Sequence, residues 1–584
     1  MRRRGCTGPV VVSQFPCRRP PCPLCTTSIV YDRGATAENP RFDDEDPRGP
    51  GIGQNCTSVW VRAGTRRASQ DRRAFVDTDQ SAGDQPLLVP GDTCWRLAQS
   101  DRFAAIIDGA DYLRHLKAAL LRARHRIIIL GWDLDYRTAF ERGEKTLDGP
   151  NHLGPFLHWL LRRQRNLRVY LLKSNLRLLP AFDAFWFGIA PVSVLNQFTS
   201  ARLHFAVDGA HPTGAVHHQK IVIVDDAVAF CGGMDVTLGR WDTSEHLPAD
   251  RRRTGLGGAY GPRHEVVAAV DGAAAAMLGE QACDRWEAAT GTALPPLSPP
   301  PPAWPDRLSP GLRDVEVGVA RTLPPLSDRS EVREVEALDL AAIAAANDVI
   351  YLENQYFAAR GVADAIAARL REPDGPEVVM ILPRSSESRL EQESMDSARE
   401  LLFRMLKEAD SYGRLGVYWP AAGRGVSVYV HSKVLLIDGR LLRIGSSNFN
   451  NRSLGFDSEC DLAIEARPTR ADCGAVQEQI LWLRDTLVSE HLGVSVDTFR
   501  NEVRRTGSFL ATVEALRGTG RSLRALTDTM VAADASPFAE NDLMDPYHVP
   551  QSIPESAFKL VESVVTWPLR HSVLGMWLRK LRGS

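Results

Sequence analysis

The sequence predicts an α/β protein made of two similar sandwich halves related by a pseudo-two-fold axis and sharing one active site. Strand and helix patterns alternate in each half, and a short polar motif occurs once in each. A Pro-rich connector at residues 295–310, predicted to be extended and semi-rigid, lies between the two copies. Such alternation favours an α/β architecture, and internal repetition predicts that the copies fold alike. The predicted halves are residues 88–294 and 311–525.

Each half contains the same order of elements before its motif. In the first half, a helical pattern at residues 111–123 precedes an apolar strand at 124–135, and a second strand follows at 167–175. The second half repeats this order with a helical pattern and two strands, at residues 335–346, 347–357 and 377–385. The motif strand is therefore predicted to join a sheet that the earlier strands have begun.

The first motif places a histidine and a lysine just before a strand. His218 and Lys220 stand two residues apart ahead of the β-branched run 221–224, so their side chains share one face. The unbroken apolar run is typical of a strand covered on both faces. Asp225 lies at an odd spacing from the histidine and is better placed to support the strand than to touch a substrate.

The second motif repeats the spacing H-x-K-x4-D with His431, Lys433 and Asp438. The match continues downstream of the motifs at the same spacing between the copies. Gly232 corresponds to Gly445, Gly233 to Ser446 and Asp235 to Asn448. A single motif match is weak evidence. Two copies with a matched downstream segment make a chance origin improbable.

A pair of such motifs predicts chemistry on a phosphodiester. If the motif strands meet across the axis, one pocket holds two imidazoles and two ammonium groups. One neutral histidine can attack phosphorus while the other protonates the departing oxygen. The lysines, together with Asn448 and Asn450, would stabilise charge on the non-bridging oxygens. This chemistry requires neither a metal nor a cofactor.

The duplicated motif resembles the signature of the phospholipase D superfamily, and the similarity extends over roughly residues 88–525. Segments outside the motifs also resemble the lipid-acting branch, among them "GGMDVTLGRWDTSEH", "GPRHEVVAAVDG", "IYLENQYF" and "EHLG". The resemblance implies the fold of that family and a metal-independent reaction through a phosphohistidine. It also implies catalytic roles for both motif triads, with His218 as nucleophile and His431 as general acid.

The resemblance further suggests the carboxylates that orient the histidines. In the second half, Glu459 stands where many family members carry such a glutamate. In the first half, three candidates remain open: Asp235, Asp242 and Glu265. A carboxylate on the second ring nitrogen would fix the tautomer of a catalytic imidazole.

Composition agrees with a globular enzyme. The chain has 584 residues, of which 44% are hydrophobic and 24% charged, and the formal net charge is −2. This usage is ordinary for a globular protein, and the charge does not favour a nucleic-acid partner. We expect a monomer that meets phospholipid at a membrane surface.

The two ends of the chain differ from the middle. Residues 1–87 are rich in Pro, Arg and Cys and are predicted to be disordered, with Cys22 and Cys25 as unpaired thiols rather than a zinc site. Residues 526–584 contain an amphipathic segment at 557–582 that could lie on a membrane or pack on the protein. The sequence shows neither a secretory signal nor a membrane span. A cytoplasmic protein, or one bound peripherally to a membrane, is predicted.

Two classes of function remain after the sequence is considered. The first is hydrolysis of phospholipid head groups to phosphatidate, with transfer of the phosphatidyl group to an alcohol as a variant. A cardiolipin synthase-like phosphatidyltransferase is the alternative within this class. The second class is a nuclease or another phosphodiesterase on the same scaffold, which the resemblance to the lipid branch disfavours. A scaffold without catalysis is disfavoured because both motifs are intact.

Overall fold

A computed structural model describes residues 85–175, 192–255, 257–297, 302–388, 391–526 and 545–546. Within these residues one large mixed sheet of 16 strands dominates the molecule. Its strands are β1 Arg96–Ile107, β2 Arg126–Gly131, β3 Arg168–Ser174, β4 Leu203–Asp208, β5 Ile221–Val224, β6 Val228–Gly232, β10 Val266–Asp271, β11 Leu312–Leu323, β12 Val332–Arg333, β13 Val349–Glu353, β14 Glu377–Ile381, β15 Leu415–Ala422, β17 Val434–Ile437, β18 Leu441–Gly445, β19 Glu459–Glu465 and β20 Arg521–Ala525. Two small pairings lie outside this sheet and use β7 Thr254–Gly255, β8 Gly258–Ala259, β9 Arg263–His264 and β16 Tyr429–Val430.

Helices cover both faces of the sheet. They are α1 Gly109–Leu120, α2 Leu153–Arg163, α3 Val192–Phe198, α4 Gly272–Thr290, α5 Glu334–Ala344, α6 Arg360–Leu370, α7 Ser397–Ala409, α8 Cys473–Leu492, α9 Val496–Thr506 and α10 Phe509–Leu516. Short π-helical turns occupy Gln392–Asp396 and Arg452–Phe456. The arrangement confirms the predicted α/β class.

The sheet runs without interruption from one half of the chain to the other. Strands β1 and β11 pair antiparallel at its centre, with Ala98 opposite Val317. Outward from this pair, the first half continues β10, β6, β5, β2, β3, β4 and the second half continues β19, β18, β17, β13, β14, β15. Strands at equivalent places in the two lists carry equivalent sequence segments, including both motif strands β5 and β17. A rotation axis relating the halves remains a prediction.

The packing creates three apolar cores. Helices α4 and α8–α10 cover one face and form a core to which both halves contribute. On the opposite face, α1 and α2 cover the first half, and α5–α7 cover the second. The β-branched run of β5 is fully buried, as expected for a strand with helices on both sides.

The Pro-rich connector differs from the prediction of an extended linker. Ala303, Trp304 and Leu308 are buried in the core of the first half. The indole Nε1–H of Trp304 donates to the Leu308 carbonyl at 2.8 Å. Large apolar side chains in the segment drive it onto the protein surface rather than through solvent.

The start of the described chain is also tied down. The backbone amides of Leu87 and Leu88 donate to the Glu465 carboxylate at 2.9 and 3.1 Å, and both side chains join the core of the second half. The predicted first half therefore begins with residues that pack against the second.

Several expectations lie outside the described residues. These include the disorder predicted for residues 1–84, the cysteine pair there, and the amphipathic segment at 557–582. Residues 85–87, also predicted to be disordered, are described, and Leu87 is buried. Among the helices that the structure does describe, none has the length and apolar character needed to cross a membrane.

Candidate active site

Backbone contacts between the halves hold both motif histidines. His217 forms a parallel bridge with Ser458, and the His218 amide donates to the Ser458 carbonyl at 2.9 Å. In the other motif, β16 pairs with β9, and the His431 amide donates to the His264 carbonyl at 2.9 Å. Each motif histidine is therefore positioned by a segment from the opposite half.

The side chain of His218 also meets the opposite half. Its Nδ1 lies 3.0 and 3.1 Å from the two oxygens of the Glu459 carboxylate. The same carboxylate accepts hydrogen bonds from the hydroxyls of Ser446 and Ser453, the latter at 2.6 Å. Because Nδ1 is occupied, Nε2 is the ring nitrogen left for chemistry. The His218 side chain is 17% exposed, whereas Glu459 is fully buried.

His431 also has a carboxylate of the opposite half beside its Nδ1, although this contact is not in hydrogen-bonding geometry. Its Nδ1 lies 2.6 Å from Oε1 of Glu265, which belongs to the first half, and both side chains are buried. Among the three first-half candidates, Glu265 is thus the carboxylate beside a motif histidine. The sequence grouped the carboxylates by half, whereas the structure pairs each one with the histidine of the other half.

The two lysines are fixed in parallel but not identical ways. Lys220 Nζ donates to the His218 carbonyl at 2.8 Å and lies 3.3 Å from Asp235 Oδ2. Lys433 Nζ donates to the His431 carbonyl at 2.7 Å and to the amide oxygen of Gln355 at 3.0 Å. One lysine therefore has a carboxylate neighbour where the other has a neutral amide.

Burial disfavours charge throughout this site. It lowers the pKa of His218 and of His431 well below the ordinary histidine value, and the lysine ammonium groups lower both further. Burial raises the pKa of Glu459 to about 8 and that of Glu265 to about 7. It also lowers the pKa of Lys433 to about 7. Both imidazoles are consequently neutral at pH 7, as a nitrogen nucleophile requires.

The motif aspartates bind backbone amides away from the histidines and lysines, although the sequence grouped them with the catalytic residues. The carboxylate of Asp225 accepts hydrogen bonds from three consecutive backbone amides that open β2, at 2.6 to 2.8 Å. Asp438 does the same for three amides that open β13, at 2.8 to 2.9 Å. Each lies at the far end of its motif strand from the histidine. Their φ angles of 55° and 56° place them in the tight turn that follows.

Of the other predicted supporting residues, some lie in the site and one lies elsewhere. Asp235 accepts from the backbone amides of Trp132 and Asp133 and faces Lys220, so it lies in the site. Asn448 and Asn450 are both buried, and Asn450 Oδ1 accepts the Ser453 amide at 3.2 Å.

Asp242 is bound elsewhere. Its carboxylate contacts His246 at 2.9 Å and Arg253 at 2.9 Å. It is therefore not the carboxylate that serves His431.

Sequence reasoning missed the residues that hold the site from behind. Ser446 and Ser453 fix Glu459, and Gln355 fixes Lys433. The sequence did single out Ser446, because the repeat aligns this serine with Gly233 of the first half. A glycine is required there, since a Cβ on Gly233 would lie 2.9 Å from the His431 carbonyl oxygen.

The chain is similar to several known proteins. The family model described as "Cardiolipin synthase, PLD-like domain" matches residues 340–480, which include the second motif and Glu459. Phospholipase D1 of Schizosaccharomyces pombe is 23% identical over 70% of this chain, and phospholipase D alpha 4 of Arabidopsis thaliana is 25% identical over 64%. The chain belongs to the phospholipase D superfamily.

Within the phospholipase D superfamily, the similarities extend to other enzymes. Cardiolipin synthase A of Yersinia pseudotuberculosis is 26% identical over 45% of this chain and 48% of its own length. The chain spans 37% of the fission yeast relative and 62% of the plant relative. A solved phosphatidylserine synthase of Haemophilus influenzae covers 66% of this chain and is itself covered over 87%, with a TM-score of 0.45 and 14% identity.

Proposed function

We propose that the chain is a phosphodiesterase that acts on phospholipid head groups through a covalent phosphohistidine. The observation that carries the proposal is the crossed pair of histidine and glutamate contacts, which builds one site from both motifs. A neutral imidazole with its Nδ1 held by a carboxylate presents Nε2 as a nucleophile or proton carrier. Two such groups, with two lysines beside them, supply what displacement at phosphorus needs.

In the proposed reaction, His218 Nε2 attacks the phosphorus of the lipid. The bond from phosphorus to the head-group oxygen breaks, and that oxygen takes a proton from Nε2 of His431, which carries one once the negative phosphate has entered the site and raised the pKa of the imidazole. His431 then removes a proton from water, the resulting oxygen attacks phosphorus, and the phosphorus–nitrogen bond breaks to release phosphatidate. The lysines stabilise the negative charge that develops on the non-bridging oxygens.

Assignment of the covalent step to His218 is supported by its contacts. The carboxylate behind it is held by two serine hydroxyls, so the imidazole plane is fixed before substrate arrives. His218 is also more exposed than His431, and a nucleophile must be reached by the phosphate. Trapped substrate in His431→Ala should label His218 with a bond stable to base and labile to acid. Label found on His431 in His218→Ala, with none in the reverse experiment, would exchange the two roles.

Transfer to an alcohol is the second candidate outcome. It is favoured by the similarity to cardiolipin synthase A and by the description of the matching family model. The chemistry differs in one step, because the hydroxyl of an alcohol replaces water in attacking the phosphohistidine. A phosphatidylglycerol acceptor would give cardiolipin.

One assay separates these outcomes. Purified protein is incubated with mixed phosphatidylcholine, phosphatidylethanolamine and phosphatidylglycerol vesicles plus ethanol and chelator, and products are resolved by mass spectrometry. Phosphatidate indicates hydrolysis, phosphatidylethanol indicates transfer, and cardiolipin indicates use of a lipid acceptor. His218→Ala and His431→Ala should each lower all products by at least about a hundredfold. The exposed His125 offers a matched control, since His125→Ala changes a histidine outside the site. Full turnover by either motif variant would end the proposal.

Peripheral contact with the membrane belongs to the same proposal. Trp132 is 37% exposed, and its backbone amide donates to Asp235 in the site. An exposed indole at the mouth of a lipid site suits the membrane–water boundary. Trp132→Ala should lower turnover of vesicles several-fold while leaving turnover of a dispersed short-chain lipid unchanged. Equal losses on both substrates would assign the indole to the site rather than to the surface.

A further inference from the structure

A second buried cluster of titratable groups lies directly behind Glu265. It contains two histidines and two carboxylates: Asp108 between β1 and α1, His246 in the loop after β6, His264 in β9, and Glu490 in α8. No side chain of the four is more than 9% exposed. Each offers one ligand atom, and these atoms all lie within 4.8 Å of one another.

The spacing of these atoms suits a small tetrahedral ion. His246 Nε2 lies 3.1 Å from Glu490 Oε1 and 3.6 Å from Asp108 Oδ2. His264 Nδ1 lies 3.2 Å from Glu490 Oε1 and 3.2 Å from Asp108 Oδ1. Ligands at about 2.0–2.1 Å from a tetrahedral zinc ion are about 3.3 Å apart. These nitrogen–oxygen distances, two of which involve different oxygens of Asp108, are therefore close to the separation of ligands around a zinc ion.

Two of the ligand atoms lack a hydrogen-bond partner among the described residues. They are Asp108 Oδ2 and His264 Nδ1, both on fully buried side chains. His264 Nδ1 lies 3.2 Å from an oxygen of each inner carboxylate without meeting hydrogen-bond geometry with either. A buried polar atom without a partner is costly, and an ion at the centre of the cluster would remove that cost.

The outer nitrogens of both histidines are held by further carboxylates. His246 Nδ1 lies 2.9 Å from Asp242, and His264 Nε2 lies 2.9 Å from Glu353. A carboxylate behind each imidazole is the usual arrangement at metal-bound histidines, because it fixes the tautomer that ligates.

The charges of the side chains around the cluster also favour a bound cation. Four buried carboxylates surround the two imidazoles, namely Asp108, Asp242, Glu353 and Glu490. Arg253 contacts Asp242 and His491 contacts Glu353, and Arg521 lies 4.0 Å from Glu490, which leaves Asp108 with only the imidazoles as close cations among the described residues. One divalent ion between neutral imidazoles carries the same charge as two additional protons on those rings. The choice between metal and protons is therefore a matter for measurement.

We propose that Asp108, His246, His264 and Glu490 bind one zinc ion that fastens the two halves together behind Glu265. Two imidazole and two carboxylate ligands favour zinc over calcium or magnesium, which prefer oxygen alone. Four protein ligands make a closed structural site rather than a catalytic one. The site is coupled to His431 through the backbone, because Asp108 and Glu265 exchange two hydrogen bonds, at 2.8 and 3.2 Å. Glu265 is thereby positioned by the metal without touching it.

The first test measures metal in the intact chain and does not depend on lipid turnover. Full-length protein from zinc-supplemented medium is dialysed and assayed for metal content and X-ray absorption. We expect about one zinc per chain, with nitrogen and oxygen neighbours at about 2.0–2.1 Å and no sulfur. Sulfur at about 2.3 Å would place the metal on cysteines and overturn the proposal. So would less than about a tenth of an equivalent in protein whose melting temperature does not rise on addition of zinc.

Variants test the ligands. Glu490→Gln and Asp108→Asn keep the side-chain shape but weaken the ligand, and each should reduce zinc content at least tenfold and abolish the rise in melting temperature with added zinc. Asp339→Asn is the matched control, since Asp339 is a buried carboxylate that pairs with Arg443 outside the cluster. It should lower stability without loss of zinc. If Glu490→Gln and Asp108→Asn folded and kept a full equivalent, the metal would lie elsewhere and the cluster would be held by protons alone.

Discussion

The two histidine–glutamate pairs of the candidate active site both place a carboxylate near Nδ1, at 3.0 and 2.6 Å, but the carboxylates have different supports. Behind His218, the Glu459 carboxylate accepts hydrogen bonds from Ser446 and Ser453. Behind His431, neither oxygen of Glu265 has a hydrogen-bond partner among the described residues. The repeat therefore preserves the reacting groups and varies what holds them. A duplicated site can in this way give its two halves different tasks, with one imidazole fixed for attack and the other freer to change its protonation.

The largest expected effect tests this difference directly. In Glu459→Gln, an NH₂ group replaces one of two oxygens that each accept from a serine and lie 3.0 to 3.1 Å from His218 Nδ1, so the amide cannot keep all of these contacts. In Glu265→Gln, the amide can turn its oxygen to His431. We expect kcat to fall by about 10²–10⁴ in Glu459→Gln and about tenfold less in Glu265→Gln. Single-turnover kinetics on both variants provide the measurement, with circular dichroism to verify folding. Equal losses would mean that the serines do not distinguish the pairs.

A smaller effect is expected when one support is removed. The Ser446 hydroxyl lowers the pKa of Glu459, although burial still raises it to about 8. Ser446→Ala should raise that pKa further, so the ionised carboxylate appears only at higher pH. The acidic limb of kcat/KM should move to higher pH, with a loss of about tenfold at pH 7, roughly the effect of a one-unit shift.

The neighbouring serine supplies the control for this shift. Ser447 donates to Asp461 rather than to Glu459, so Ser447→Ala should leave the acidic limb where it is in the wild type. A limb that moved equally in both variants would trace to loosened packing instead of to Glu459.

Replacing the motif aspartate by alanine should lower the stability of the protein by a similar amount in either half. Asp225→Ala and Asp438→Ala each leave three backbone amides without their acceptor, and each should cost about 1–3 kcal/mol of unfolding free energy. Melting temperatures should fall by a few degrees in both, while activity per folded molecule stays within about twofold of wild type. A selective loss of turnover at unchanged melting temperature would return these residues to the catalytic group.

The smallest expected effect concerns the lysines. Lys220 has Asp235 beside it, whereas Asn448 stands at the equivalent place in the second motif. Burial lowers the pKa of Lys433 to about 7, so its charge is lost as pH rises through that value, and kcat/KM should fall with it. Asn448→Asp adds a carboxylate, which should raise that pKa and move the fall to higher pH by up to about one unit. A pH profile of kcat/KM for the two proteins decides the matter.

The sequence predicted features that neighbouring residues form, such as single strands. It did not predict the contacts between a histidine of one half and a carboxylate of the other. The run from Ile221 to Val224 predicted β5 to the residue, because an unbroken β-branched segment has few other uses. The pairing of Glu459 with His218 spans 241 residues and depends on the order of strands in the sheet, which no local pattern encodes.

The same limit explains two other differences. The Pro-rich connector was expected to be extended because it is rich in proline. Instead, the apolar side chains of Trp304 and Leu308 are buried against the protein. The cluster of His246, His264 and Glu490 draws on three segments that carry no shared spacing motif, so only their meeting in the fold reveals it.

The crossed contacts also bear on when the protein becomes active during synthesis. A ribosome that has produced the first motif has produced a histidine with no carboxylate behind it, since Glu459 is still to be added. The nascent first half can fold early and yet remain chemically silent, and so would any chain released prematurely before β19. The proposed activity, which would damage membranes if uncontrolled, thus depends on translation past β19, and turnover itself reports that strands of both halves have joined one sheet.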